Sequence, residues 1–171
     1  GVDVILIAGD LFEDNGVSND TIYRAAEALK KAAPIPVFII PGNHDPGTAD
    51  RVYRRSAWTS EVPANVTVLT ERTPVELDEF GVMLFPCPLT QKQSTGDPTA
   101  WIAESDFNSG EAIRLGLAHG ALDIHNKEYN FPIAPDRAET ASLDYLAFGA
   151  SLSRSVKVQA LLLRALLGYL Q

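Results

Sequence analysis

Apolar positions along this chain come mainly in short, β-branched blocks cut by polar turns, the pattern of a sheet-based fold rather than a helical bundle. Residues 2–8 form a nearly unbroken apolar run, as expected of a strand covered on both faces, and residues 36–40 repeat it. Between them Ile22, Ala25, Ala26 and Leu29 recur at helical spacing, with Ser18 or Asn19 placed to cap the helix and Pro34 to end it after Ala33. Strand, helix and strand in this order predict a right-handed crossover that leaves the two strands parallel.

The rhythm then changes. Residues 66–69, 75–77 and 82–85 read as short strands split by Glu-Arg and Glu-Phe-Gly turns, which predicts antiparallel pairing. Residues 113–118 and 144–148 are further strands, with a brief helix over 136–141 behind Pro135 and another around Trp101. The polar loop that holds Gln91, Gln93, Ser94, Thr95 and Gly96 either lines a substrate cleft or only connects. Arg51, Arg54 and Arg55 fall at helical spacing, so one helix face would carry all three, as a phosphate-steering patch or as an ordinary solvated surface.

The last stretch departs from the rest. No acidic residue follows Asp144, and the leucine cluster over 161–167 contains only Arg164 as a polar member. Leucine and alanine propensity predicts a helix there, apolar around most of its circumference and so in need of burial or a partner. The expected division is a domain over 1–149 and an atypical leucine-rich tail over 150–171, a pattern that a shifted reading frame would produce.

Composition narrows the class. A chain of 171 residues with 46% hydrophobic and 21% charged residues is long enough for one domain with a substantial core. The single cysteine, Cys87, permits no internal disulfide and reads as a small packed hydrophobe, and no basic-then-apolar leader is visible, so the expected compartment is cytoplasmic. No apolar run reaches the roughly 18 residues that span a bilayer. A net charge of -8 argues against nucleic-acid binding through a broad basic surface, although bound divalent metals would reverse the field locally. The chain begins inside an apolar run, at Gly1-Val2-Asp3-Val4, so an N-terminal truncation with a missing upstream strand is expected.

The candidate chemistry sits where strands stop. One run ends in Gly9-Asp10, the second in Gly42-Asn43-His44-Asp45, a third in His119-Gly120 and a fourth in Gly149. In α/β sheets the loops past the C-terminal strand ends carry the chemistry, because they vary while the strands hold them still. Carboxylate, amide and imidazole groups gathered there are metal- and proton-competent. Taken singly, each has a plainer reading: Asp10 as a turn or helix cap, Asn43 as a turn residue, His44 or His119 as a satisfied core histidine.

Gly9-Asp10, Gly42-Asn43-His44-Asp45 and His119-Gly120, each after a strand and in this order, resemble the calcineurin-like metallophosphoesterases over residues 1–149. The strings Gly9-Asp10-Leu11-Phe12-Glu13 and Asp144-Tyr145-Leu146-Ala147-Phe148-Gly149 are most similar to the SbcD-type DNA repair exonucleases. The resemblance implies a four-layer α/β/β/α sandwich of two mixed sheets. It implies two divalent metal ions, Mn²⁺ or else Zn²⁺ or Fe, with Asp10 bridging them and Asn43 and His119 binding the second. It places His44 near the leaving group, paired with Asp45, and implies phosphodiester hydrolysis, DNA as substrate and a coiled-coil ATPase partner. A phosphatase or cyclic-nucleotide phosphodiesterase uses the same motifs. Two family elements are missing: the Asp-x-His motif would precede Gly1, and the Gly-His-x-His motif reads Gly149-Ala150-Ser151-Leu152. The expectation is therefore an incomplete catalytic domain that is inactive as given, or a non-catalytic binding module on a degenerate phosphoesterase fold.

Overall fold

In the computed structural model of the chain, residues 1–48, 51–105, 107, 110–123 and 130–149 are described in full and residues 160–163 by their backbone. In chain order the elements are β1 (Val4–Ala8), α1 (Asn19–Lys30), β2 (Val37–Ile40), α2 (Ser56–Thr59), β3 (Val66–Val68), β4 (Val75–Leu77), β5 (Val82–Cys87), α3 (Ala100–Ala103), β6 (Ile113–His119), β7 (Ala121–Leu122), β8 (Pro132–Ile133), α4 (Arg137–Thr140), β9 (Tyr145–Gly149) and β10 (Ala160–Leu163). They form two four-stranded mixed sheets, ordered β10-β1-β2-β3 and β4-β5-β6-β9, and a small β7-β8 pair.

Three apolar clusters hold these elements together, and the period-two alternation of strand side chains decides which cluster each residue joins. Val4, Leu6, Ala8 and Ile40 of the first sheet meet Leu84, Leu115, Leu117 and Ala147 of the second. On the other face of the first sheet, Ile7, Val37 and Ile39 pack with Ile22 of α1, Trp58 of α2, Phe12 and Tyr53. On the other face of the second, Met83, Phe85, Cys87 and Ala118 pack with Ile102 of α3 and Ile133, Ala141 and Leu143.

α1 matches the pattern read from its residues. The Ser18 side chain accepts from the Thr21 amide at 3.2 Å as the N-cap, and Ile22 and Ala26 are buried with Ala25 and Leu29 beside them. β1 and β2 pair in parallel, Ile5 with Val37 through Ala8 with Ile40, so both strands end at the same level. That shared end brings Gly9-Asp10 beside Gly42-Asn43.

Three expectations are corrected. β3 adds parallel to β2 rather than antiparallel to its sequence neighbours, because its carbonyls and amides complete the open edge of β2, and only β4 with β5 is antiparallel in this stretch. Arg51, Arg54 and Arg55 share no helix face: the backbone is extended at Arg51 and again at Arg55, with one 3₁₀ turn between them. Arg55 instead ties to the segment that enters α1, donating to the Val17 carbonyl and the Asn19 side chain. Finally, Ala160–Leu163 of the leucine cluster is a strand, antiparallel to β1, rather than part of a helix. The free edge of β1 offers a row of amides and carbonyls, and pairing with them outweighs a modest helix propensity. Ala150, Leu152, the Arg164–Leu167 part of the cluster and His125 lie outside the described residues.

The loop after β5 is tied down by backbone hydrogen bonds. Leu89 exchanges backbone hydrogen bonds with Pro41 and Gly47 at 3.1 and 2.8 Å, and Ser94 with Phe131 at 2.8 Å. No described helix is long and apolar enough to cross a membrane.

Candidate metal centre

Asp10, Asn43 and His119 come from the ends of β1, β2 and β6, and the structure brings them to one point. His119 Nε2 lies 3.1 Å from Asp10 Oδ2 and 2.9 Å from Asn43 Oδ1, and His119 Nδ1 lies 2.7 Å from the Ala8 carbonyl. The ring is buried, with only 3% of His119 exposed. Both nitrogens face acceptors, so the arrangement fits an imidazolium that donates from both sides. The electrostatics agree: burial opposes the charge, yet the bond to Asp10 and its negative charge raise His119 above the usual imidazole value. Burial likewise works against the Asp10 carboxylate, but His119 and the His44 amide hold it below the usual range.

Two glycines let the strand ends approach this closely. Gly9 has φ 81°, in the region glycine adopts without strain, and a Cβ there would overlap the His119 ring. A Cβ on Gly42 would overlap the Asp10 carboxylate and amide. Asp10 itself has φ 54°, left-handed for a residue with a side chain, and so must be held there by its neighbours. Its carboxylate accepts from the His44 amide at 3.0 Å, and its own amide donates to Asp45 Oδ1 at 3.2 Å.

Asp45 is fully buried and receives four donors. Gly42 and Asp10 amides reach Oδ1 at 2.7 and 3.2 Å; the Phe12 amide and the Tyr53 hydroxyl reach Oδ2 at 3.1 and 2.5 Å. Burial raises its pKa despite these donors, and the nearby Asp10 charge adds to the rise. The Asp45 oxygens accept these four donors, while His44 Nδ1 lies 2.9 Å from the Glu13 carbonyl. A carbonyl only accepts, so the Nδ1 position carries the proton. Asp45 ties the 9–12 loop to the 42–45 loop.

Tyr53 was not legible as a site residue, since it lies in the Arg51-Val52-Tyr53-Arg54-Arg55 stretch that reads as a basic surface. Its one signal is an apolar pair, Val52-Tyr53, inside charged residues. Cys87 stays outside the chemistry: it is buried, accepts from Trp101 Nε1 at 3.4 Å, and burial pushes its thiol up to about 12. Asp14 bonds within its own loop, to the Gly16 amide.

The donor chemistry at Asp10, Asn43 and His119, two oxygens and one imidazole nitrogen, fits one hard or borderline divalent cation. Among the described residues no group of three or more His, Cys, Asp or Glu side chains is placed to hold a metal ion. Gly149, at the end of β9, packs against Ala8 and His119, so the chain passes the site at the level where the family's last histidines would follow.

No curated protein matches the sequence. The calcineurin-like phosphoesterase family profile matches residues 1–149, which is most of the chain. That family comprises hydrolases of phosphoester bonds and typically uses a dinuclear metal centre. With the strand ends, their order and their convergence accounted for by the same residues, the chain belongs to the calcineurin-like phosphoesterases.

Proposed function

We propose that this chain is the greater part of a metal-dependent phosphodiesterase domain, exonuclease-like and acting on DNA in its complete form, with one of the family's two cation sites represented here. The observation that carries the reading is the approach of Asp10 Oδ2 and Asn43 Oδ1 to a single imidazole nitrogen, His119 Nε2. The three apolar clusters that alternate with the two sheets support a four-layer sandwich. The DNA assignment rests on the Gly9–Glu13 and Asp144–Gly149 strings. A coiled-coil ATPase partner follows from the same strings and from nothing else on the chain.

Asp10, Asn43 and His119 would hold the cation, which supplies positive charge against phosphoryl oxygens and acidifies water when bound. His119 must release its Nε2 proton to serve as a ligand, while the Ala8 carbonyl keeps Nδ1 protonated and the ring in place. His44, fixed at Nδ1 by Glu13, is oriented to exchange a proton at Nε2 with a leaving oxygen. Asp45 keeps both loops in register. One cation rather than two removes several kcal/mol of transition-state stabilisation, which is several powers of ten in rate.

The chain as given should therefore show no Mn²⁺-dependent hydrolysis of single-stranded DNA or cyclic nucleotide above background. An extended chain that carries Asp-x-His upstream and histidines at 150 and 152 should cleave the DNA, and His44→Ala in that chain should lower turnover far more than it weakens metal binding. Chelator-sensitive turnover by the 171 residues alone would overturn the reading. Cleavage of cyclic nucleotide but not DNA by the extended chain would reject the exonuclease assignment. A second reading, a non-catalytic binding module, is favoured by the single-cation donor set and predicts that the extended chain stays inert.

A further inference from the structure

We infer that Tyr53 is a positioning residue for the cation site: its hydroxyl, acting through Asp45, holds Asp10 in the left-handed conformation that aims its carboxylate at His119. The inference rests on the proposed role of Asp10 as a ligand and extends it to a residue 43 positions away that touches neither Asp10 nor His119 in the described contacts.

Aspartate adopts φ 54° more readily than most residues, but its Cβ still crowds the backbone there and the conformation needs support. Three contacts fix it: its amide to Asp45 Oδ1, and its carboxylate from the His44 amide and against His119 Nε2. The first depends on the orientation of the Asp45 carboxylate. That group is fully buried, faces no cation within its hydrogen-bond shell, and balances its charge with three backbone amides and one phenol. The phenol is the only side chain among the four donors. It is also the one donor from outside the two loops that Asp45 joins, so it alone refers the carboxylate to the rest of the fold.

Tyr53 is itself fixed. Only 7% of it is exposed, and its ring meets Trp58 edge-on at 5.4 Å and Phe12 at 5.8 Å, while Phe12 meets Trp58 at 5.7 Å. Phe12 lies two residues past Asp10, and its amide donates to the same Asp45 oxygen that Tyr53 reaches. Tyr53 thus grips the 9–12 loop twice, by a polar link through Asp45 and an apolar link through Phe12. Losing the hydroxyl leaves the apolar link intact and frees one lone pair of a buried carboxylate. The carboxylate then turns toward whatever donor or water replaces the phenol, and the long 3.2 Å bond to the Asp10 amide is the contact with least to lose.

Tyr53→Phe in the full chain separates the two links, with Trp58→Phe as the control that disturbs the same aromatic triad but makes no bond to Asp45. The first readout is metal-free: the imidazole ¹⁵N–¹H correlations of His119, whose Nε2 proton reports its bond to Asp10. The second is Mn²⁺ affinity by calorimetry. Tyr53→Phe should shift or broaden the His119 Nε2 signal and weaken Mn²⁺ binding by about tenfold or more, the usual effect of losing a partner that orients a ligand. Trp58→Phe should change neither, even where it lowers Tm as much. In an Asp45→Asn background, Tyr53→Phe should add little, because the pathway is already cut. Unchanged His119 signals in Tyr53→Phe, or losses in both variants that scale with Tm, would overturn the inference. If the wild-type chain takes up no Mn²⁺, the ligand reading fails while the His119 signals still decide the role of Tyr53; if Asp45→Asn does not fold, the Tyr53 and Trp58 pair decides it.

Discussion

Asp45 and Asp97 are each wrapped in hydrogen bonds, yet their environments push their acidities in opposite directions. Asp45 accepts from three amides and the Tyr53 hydroxyl. Asp97 accepts from the Thr99 amide and hydroxyl, the Ala134 amide at 3.3 Å, and Arg137 through Nε at 3.3 Å and Nη2 at 2.9 Å. Burial raises the pKa of both, but at Asp97 the Thr99 and Arg137 bonds overcome it and the carboxyl falls below its usual value, whereas at Asp45 burial wins. The difference is a guanidinium and some water: the Asp97 side chain keeps 16% of its exposure, while Asp45 keeps none. Asp97 joins the loop after β5 to the start of α4 under conditions that favour its charge. Asp45 joins two loops of the proposed cation site under conditions that oppose it, as expected where local stability is given up to hold a functional geometry.

The largest effect should come from removing the fully buried carboxylate. Asp45→Ala leaves three buried amides and the Tyr53 hydroxyl without an acceptor, and unsatisfied buried groups cost about 1–3 kcal/mol each before relaxation. A loss of about 3 kcal/mol or more is expected from the urea midpoint, together with loss of Mn²⁺ binding. A loss under about 1 kcal/mol would show that water replaces the carboxylate without difficulty and that Asp45 is not the hub described.

Asp97→Asn should cost less, about 1–2 kcal/mol, because the amide oxygen still accepts from the backbone and the ion pair with Arg137 is partly solvated. Mn²⁺ affinity should not change. If affinity falls with it, the two regions are coupled and the contrast between a stabilising and a site-forming carboxylate breaks down.

The smallest effect is in pH dependence, where the two residues should act with opposite sign. Asp97 is more acidic folded than unfolded, so its contribution is present above the unfolded value of about 3.9 and is lost as pH falls through its folded pKa. Asp45 is less acidic folded than unfolded, so the folded chain binds its proton more readily and stability decreases as pH rises from about 3.9 through the folded pKa. Urea titrations from neutral to acid pH should show a shallower acid loss in Asp97→Asn and a steeper one in Asp45→Asn. The same acid slope in both variants would remove the electrostatic basis of the comparison.

What the sequence discloses follows the range of each interaction. β1, α1 and β2 were legible because burial imposes a period on their residues, and the Ser18 cap because it acts within three positions. Gly42-Asn43-His44-Asp45 was legible as a polar turn at a strand end, but not the partners of its members. The bond from His44 to Glu13 spans 31 positions and the bond from Phe12 to Asp45 spans 33. No spacing rule predicts such contacts; they depend on the parallel register of β1 and β2. β3 was assigned the wrong direction because a three-residue strand carries no signal for its partner. The arginines of 51–55 matched a helical period that the backbone does not follow, and Ala160–Leu163 matched a helical composition that an open strand edge overrode.

The central claim, that Asp10, Asn43 and His119 make one cation site and not two, is tested most directly by Mn²⁺ calorimetry on the 171-residue chain, run in two buffers of different ionisation enthalpy. One site per chain at most is expected, with release of about one proton as His119 exchanges its Nε2 hydrogen for the metal. Binding and proton release should both disappear in His119→Ala. Two equal tight sites, or uptake that survives substitution of all three residues, would contradict the account.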